Sequence, residues 1–418
     1  MDNKQERLTR LAEENPIYGG IWYFIKWIVL SAVIGILAGV VGGSFGLGVS
    51  WATGVWQSRS WTLFLLPVIG VGIVFLYQIA HEGNNRGTNM VLDAVSAGGS
   101  VTPATAPLIY VSTILSHLGA ASVGREGAAL QIGGVLGSLT GKAVRLDPGD
   151  QKTAVMCGMS ACFAAVFGTP LAATIFSMEV TEIGVMRYAA MVPCLFASLV
   201  AAAIAGRMGV APEAFAIGET PVFGAGSFVQ TVLLGLLCAG VGVFFCLILH
   251  TGGHLYQRYL KNIYLRVIAG SLIFIVLTLA FPDRLFNGSG ASLIERCFEG
   301  EAVPAYAFLL KMIFTSVALG AGFRGGEIVP TLTVGATFGY LLSGILGLPS
   351  GLCASIGMAA LFVSVTNCPL ATLFLAFEMF GLEAMPYYAV AVAVSFAASG
   401  QEGLYSSQKF AGSRLKNG

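Results

Sequence analysis

Two glutamates stand at equivalent places about 200 residues apart: Glu126 in Gly124-Arg125-Glu126-Gly127, and Glu327 in Gly325-Gly326-Glu327. Each opens an apolar run, residues 128–137 and 328–339, whose pattern predicts a helix. A helix N-terminus carries unpaired backbone N–H groups and the positive end of the dipole, so it welcomes a carboxylate or an external anion. The two compete for the same donors. A glutamate there must move aside when an anion arrives, and once displaced it can take up a proton. One residue could therefore gate an anion path and carry a proton. The plainer role is a capping carboxylate, paired with Arg125 in the first copy and with Arg324 in the second. Repetition favours the functional role, because a charge within apolar helices is costly to keep.

A second echo lies downstream. Residues 169–179 (TPLAATIFSME) return as residues 368–378 (CPLATLFLAFE). Pro170 and Pro369 fall where a helix can begin without losing a hydrogen bond. Glu179 and Glu378 close the two segments, and their matched places predict structural hydrogen bonds between helices. Thr366 and Asn367, just before Pro369, could line a cavity or cap a helix. Phe374 and Phe377 are expected to pack.

The elements that hold these residues must lie in a membrane. Of 418 residues, 56% are hydrophobic and only 10% charged, with mean hydropathy +0.80. Soluble domains carry about 25% charged residues, so the composition predicts a polytopic membrane protein. A net charge of +1 offers no field for nucleic acid. The 55 glycines permit close helix packing and broken helices within the bilayer. Eight cysteines contain no CxxC pair, and His81, His117, His250 and His254 are scattered, so no metal site or cofactor is expected. There is no P-loop, dinucleotide fingerprint, HExxH motif or nucleophile–base pair, which argues against an enzyme.

Long apolar stretches cover residues 21–49, 61–80, 188–205, 229–249, 263–281 and 305–319. Shorter ones cover 127–144, 157–166, 170–178, 330–346, 351–365 and 369–379. About 20 residues are needed to span hydrocarbon. The short stretches are therefore expected to pair near the midplane, in a transporter of two related halves with its site between them. The expected organisation is an N-terminal segment 1–20, a first membrane repeat 21–207, an exposed connector 208–227, a second repeat 228–408 and a tail 409–418. Lys4, Arg7 and Arg10 precede the first apolar run, and Lys409, Arg414 and Lys416 follow the last. Such flanks predict a multi-pass protein of the cell membrane with both termini in the cytoplasm.

The GREG motif with Gln131-Ile132-Gly133-Gly134, the PLA segments with their closing glutamates, Gly326-Glu327-Ile328-Val329-Pro330 and Gly403-Leu404-Tyr405-Ser406 together resemble the CLC family of anion channels and anion/proton antiporters. The resemblance covers nearly the whole chain. It implies an all-α membrane fold, a two-half inverted repeat of short, tilted and broken helices, and a homodimer whose subunits each hold a pathway. It also makes Glu126 the external gate and Tyr405 an anion ligand, with Gly326, Ile328 and Val329 beside the anion.

Four departures matter. The usual GSGxP serine is missing, and Gly87, Thr88, Asn89 and Met90 occupy that anion-binding stretch. Ala128 replaces the proline of GREGP. The internal proton-transfer glutamate falls at Val180, which cannot take a proton. Glu327 stands where the GxFxP motif has an apolar residue. This set resembles the fluoride/proton antiporter branch, with Glu126 and Glu327 together carrying the proton. Fluoride is small and strongly hydrated, and the amide of Asn89, backbone N–H groups and the Tyr405 hydroxyl could compensate its dehydration. Met90 would shape the pocket or simply pack. A chloride channel or chloride/proton antiporter of the same family is the alternative reading.

Overall fold

Two kinds of helix build the molecule, some long enough to cross a bilayer and others broken within it. The computed structural model describes residues 16–411 except 84, 100 and 282. Lys4, Arg7, Arg10, Arg414 and Lys416, on which the expected placement of the termini rests, lie outside the described residues.

The first half comprises α1 (Pro16–Ser58), a 3-10 turn (Ser60–Leu65), α2 (Leu66–Ile79), α3 (Thr88–Ala97), α4 (Thr105–Leu118), α5 (Glu126–Ala143), α6 (Pro148–Phe167), α7 (Pro170–Glu179) and α8 (Met191–Arg207). The second comprises α9 (Ala225–Tyr259), α10 (Ile263–Ala280), α11 (Ala291–Glu299), α12 (Ala307–Ala321), α13 (Ile328–Leu346), α14 (Ser350–Thr366), α15 (Pro369–Phe380) and α16 (Met385–Ala398). Two-residue strands β1 (Glu182–Ile183) and β2 (Lys409–Phe410) pair in parallel.

Among the described residues, six helical segments are long and apolar enough to cross a membrane: Gly20–Ser58, Ser60–Ile79, Tyr188–Arg207, Ala225–Tyr259, Ile263–Ala280 and Ile328–Leu346. Five match the long stretches read from sequence. The sixth expectation, 305–319, is instead the 15-residue α12, interrupted in its apolar character by Lys311. The stretch expected to be short, 330–346, begins two residues earlier and reaches 19. The stretch 157–166 is the inner half of a 20-residue helix. Its polar first turn hid the start: Asp147 caps the N–H groups of Gly149 and Asp150, and Pro148 follows. The helices α3 and α11, of 10 and 9 residues, are too polar to register as apolar stretches.

Packing repeats between the halves. α5 lies on α6 so closely that a Cβ on Gly133 would sit 2.1 Å from the Gly158 carbonyl oxygen, and α13 lies on α14 with the matching figure of 2.4 Å from Gly335 to Gly357. From Thr153 to Phe167 in α6, and from Gly351 to Thr366 in α14, every residue is buried. Such all-round apolar helices form the centre, not the rim. Both end on a left-handed residue, Gly168 at φ 78° and Asn367 at φ 59°, before a proline restarts the chain as α7 or α15. Asn367 is thus a cap and also donates to the Glu402 carbonyl.

Glu179 and Glu378 close the arrangement reciprocally. Glu179 accepts from the N–H groups of Leu370 and Ala371 at 3.2 and 2.9 Å. Glu378 accepts from Leu171 and Ala172 at 2.9 and 2.8 Å. Each half caps a helix of the other, which is the signature of a two-fold relation and bears out the structural role read for these glutamates.

At the periphery, Gly35 and Gly39 of α1 meet Ala197 and Ala201 of α8, with Cβ positions only 2.7 and 3.0 Å from that helix's backbone. This small-residue seam replaces hydrophobic driving force with close backbone contact. The connector is less exposed than its polarity suggests. Glu213 and Phe215 bond to the carbonyls of Phe167 and Met379, Ile217 is buried, and Phe215 stacks on Phe298 at 4.9 Å.

Candidate anion and proton site

The two glutamate motifs meet. Gly124 donates its N–H to the Gly326 carbonyl at 2.6 Å, and Gly326 returns the bond to Gly124 at 2.7 Å. This antiparallel bridge sets the N-termini of α5 and α13 head to head. Glycine is required there, because a Cβ on Gly326 would lie 2.5 Å from the Gly127 nitrogen. The first helical bonds run from Ala129 to Arg125 and from Thr331 to Glu327. The N–H groups of Gly127, Ala128, Ile328 and Val329 are therefore without intrahelical acceptors. Pro330 has none to offer.

Glu126 is fully buried. Its Oε2 accepts from the Arg125 N–H at 3.1 Å, while Oε1 lies 3.6 Å from Arg125 Nε and makes no hydrogen bond. Arg125 in turn is bound to Glu213 of the connector. The arginine is thus divided between two carboxylates and does not hold Glu126 firmly.

Glu327 stands at the N-cap of α13. It lines a cavity of about 260 Å³ together with Gly87, Thr88, Asn89, Gln131 and Tyr405. Its Oε2 reaches the α5 N-terminus, 3.6 Å from where a Gly127 Cβ would stand. Arg324 does not pair with it; the guanidinium stacks on Tyr77 instead, 4.3 Å from the ring centroid.

Tyr405 rides on an extended C-terminal segment. Leu404 bonds to the Val365 carbonyl, and Gln408 reaches the carbonyls of Thr366 and Val180 at 2.7 and 3.0 Å. The Tyr405 hydroxyl is buried and makes no hydrogen bond, and the residue lines the same cavity as Glu327. Asn89 gives its Oδ1 to the Ser407 N–H at 2.9 Å, which leaves the amide Nδ2 as the free donor.

The remaining expected residues are distributed. Thr88 Oγ1 points to the Gly127 carbonyl at 3.4 Å. The Gly87 N–H is already engaged by Asn85 Oδ1 at 2.8 Å. Gly326, Ile328 and Val329 bring backbone to the helix junction, and their side-chain positions are packed. Met90 turns away: it lies against Ala94, Val101 and Val135 and borders a separate cavity of about 350 Å³. Val180 is buried in the core. Phe374 sits on the surface.

Sequence reasoning passed over Gln131. Its Nε2 donates to the Gly127 carbonyl at 3.2 Å, and its Oε1 is buried without a partner. An amide in an apolar helix, five residues after Glu126, was the available signal. The cavity thus gathers hydrogen-bond donors from Tyr405 and Asn89 for an anion, with the Glu327 carboxylate able to take up a proton and the Gln131 carbonyl able to accept a hydrogen bond. Among the described residues no cluster could hold a metal.

The family model described as voltage gated chloride channel matches residues 74–400. The chloride/fluoride channel protein of Pseudomonas syringae pv. tomato is 36% identical over 394 residues, covering 93% of this chain and 87% of that one. The crystal structure of a CLC-type fluoride/proton antiporter superposes with a TM-score of 0.89 at 30% identity, covering 93% of this chain and 98% of that one. A slow cyanobacterial Cl−/H+ antiporter superposes with a TM-score of 0.77 at 20% identity over 89% and 94% of the two chains, a likeness of fold.

Proposed function

The chain belongs to the voltage gated chloride channel (CLC) family, whose members are channels or transporters and not enzymes, and from that premise we propose that it is a membrane antiporter exporting fluoride in exchange for protons. The observation that carries this reading is Glu327 lining the same cavity as Tyr405 and Asn89, with the glycine bridge joining its motif to that of Glu126. A fluoride entering the cavity takes the Tyr405 hydroxyl and the Asn89 amide as donors, then the first-turn N–H groups of α5 and α13. Those N–H groups are the ones a carboxylate would occupy, so the anion displaces Glu126, which leaves the site as the neutral acid. Protonation removes the charge that would otherwise be stranded in hydrocarbon. Glu327 receives the proton in place of the acid that Val180 cannot supply. Resemblance to a protein named as a fluoride/proton antiporter supports the same ion pair.

The test is flux from proteoliposomes loaded with fluoride or chloride while external pH is recorded. Coupled fluoride and proton movement is expected. Glu327→Gln should lower proton flux roughly hundredfold, the order expected for removal of a positioned proton carrier. Undiminished proton flux in that variant overturns the reading. Passive chloride current from the unaltered protein would establish the chloride channel reading, which the apolar Val180 equally suits.

A further inference from the structure

We infer that Arg324 and Tyr77 form a second anion-binding station, beside the central cavity and distinct from it. Arg324 is a partition. On one side it borders the Tyr405–Glu327 cavity; on the other it borders a separate cavity of about 230 Å³ lined by Tyr77, Gln78, Gly83 and Ile263 among others.

Three observations place an anion there. First, Arg324 is a cation with no carboxylate partner among the described residues: it enters no ion pair, and its buried Nε donates to nothing. Arg266, in the first turn of α10, likewise leaves a buried Nε unpaired. Second, Tyr77 is 3% exposed, and its hydroxyl is buried without a hydrogen-bond partner. A buried phenol normally finds an acceptor, since leaving it unmet is costly. Third, the cavity sits at the α10 N-terminus, where Asn262 caps the N–H groups of Tyr264 and Leu265 and the helix dipole adds positive potential. Glu82 accepts from Asn85 Nδ2 at 3.0 Å.

The ligand class is a small monovalent anion. For its identity as fluoride the inference rests on the function proposed above. Arg324 lines both cavities, so an ion held beside it lies next to the Tyr405–Glu327 site. A station of this kind concentrates the ion ahead of the gate and leaves the exchange step unchanged.

The experiment is fluoride flux against fluoride concentration in proteoliposomes for Arg324→Gln, Arg324→Lys and Tyr77→Phe. Arg324→Gln should raise the half-saturating concentration roughly tenfold, with maximal rate and proton coupling kept within about twofold. Arg324→Lys should restore most of the loss. An unchanged half-saturating concentration overturns the inference, as does a joint fall of rate and coupling, which marks a structural role. If Arg324→Gln does not fold, Tyr77→Phe decides: a rise of roughly threefold supports the station, and no rise overturns it. Should the unaltered protein carry chloride and not fluoride, the export reading fails, while the same series in chloride still decides the station.

Discussion

Tyr405 and Asn89 offer the two side-chain donors of the central cavity, and they differ in how they are held. The tyrosine hydroxyl is buried and unpaired, whereas the asparagine amide is oriented by the Ser407 N–H. Removing one unpaired donor should cost affinity and little else. Tyr405→Phe is expected to raise the half-saturating fluoride concentration roughly fivefold to tenfold, about 1–1.4 kcal/mol, read from concentration-dependent efflux. Arg125 gives a different kind of prediction. Its guanidinium is shared between Glu126 and Glu213. Glu213→Gln releases it to Glu126, which should then stay ionised and in place. Turnover is expected to fall roughly tenfold and the half-saturating concentration to rise, because a Glu126 held ionised by Arg125 resists displacement by the anion. An unchanged turnover rate would count against the divided arginine.

At the scale of elements, the reciprocal caps decide how firmly the halves are joined. Glu378→Ala strands two N–H groups of α7, and Glu179→Ala strands two of α15. Each is expected to cost about 2 kcal/mol, measured by thermal unfolding in detergent. A loss of Glu126 anion chemistry in either variant, with stability intact, would show that these residues act in transport. The paired PLA segments, their prolines and their closing glutamates were legible because spacing preserved them in both copies. What was not legible followed from physics that a single pattern does not carry. The start of α6 was hidden because a capped helix begins with polar residues, Asp147 to Gln151, so an apolar window enters it late. Met90 looked like a wall of the anion site, but a ten-residue helix presents only two or three residues to a cavity, and here they are Thr88 and Asn89. Gln131 was read only as part of a motif and Arg324 only as a partner for Glu327; packing shows that both border the cavity.

For the whole molecule, the expected partner is a second copy. Exposed apolar residues of α8 and α15, including Leu199 at 47% and Leu370 at 44%, face outward next to the caps, and on the family resemblance we propose that this face joins two subunits, with both termini in the cytoplasm. The expected result is a dimer mass by light scattering in detergent, and Leu199→Trp should shift it toward monomer. Retention of the dimer in that variant would move the interface elsewhere.

The crossed caps also have a consequence in time. Glu179 emerges from synthesis 192 residues before Ala371, the partner that neutralises its burial. At about 5–20 residues per second the first half must wait roughly 10–40 s with a bare carboxylate and two open N–H groups inside the bilayer. During that interval the nascent chain is a substrate for whatever shelters or degrades unfinished membrane proteins, and slowing translation of residues 208–368 should increase its loss.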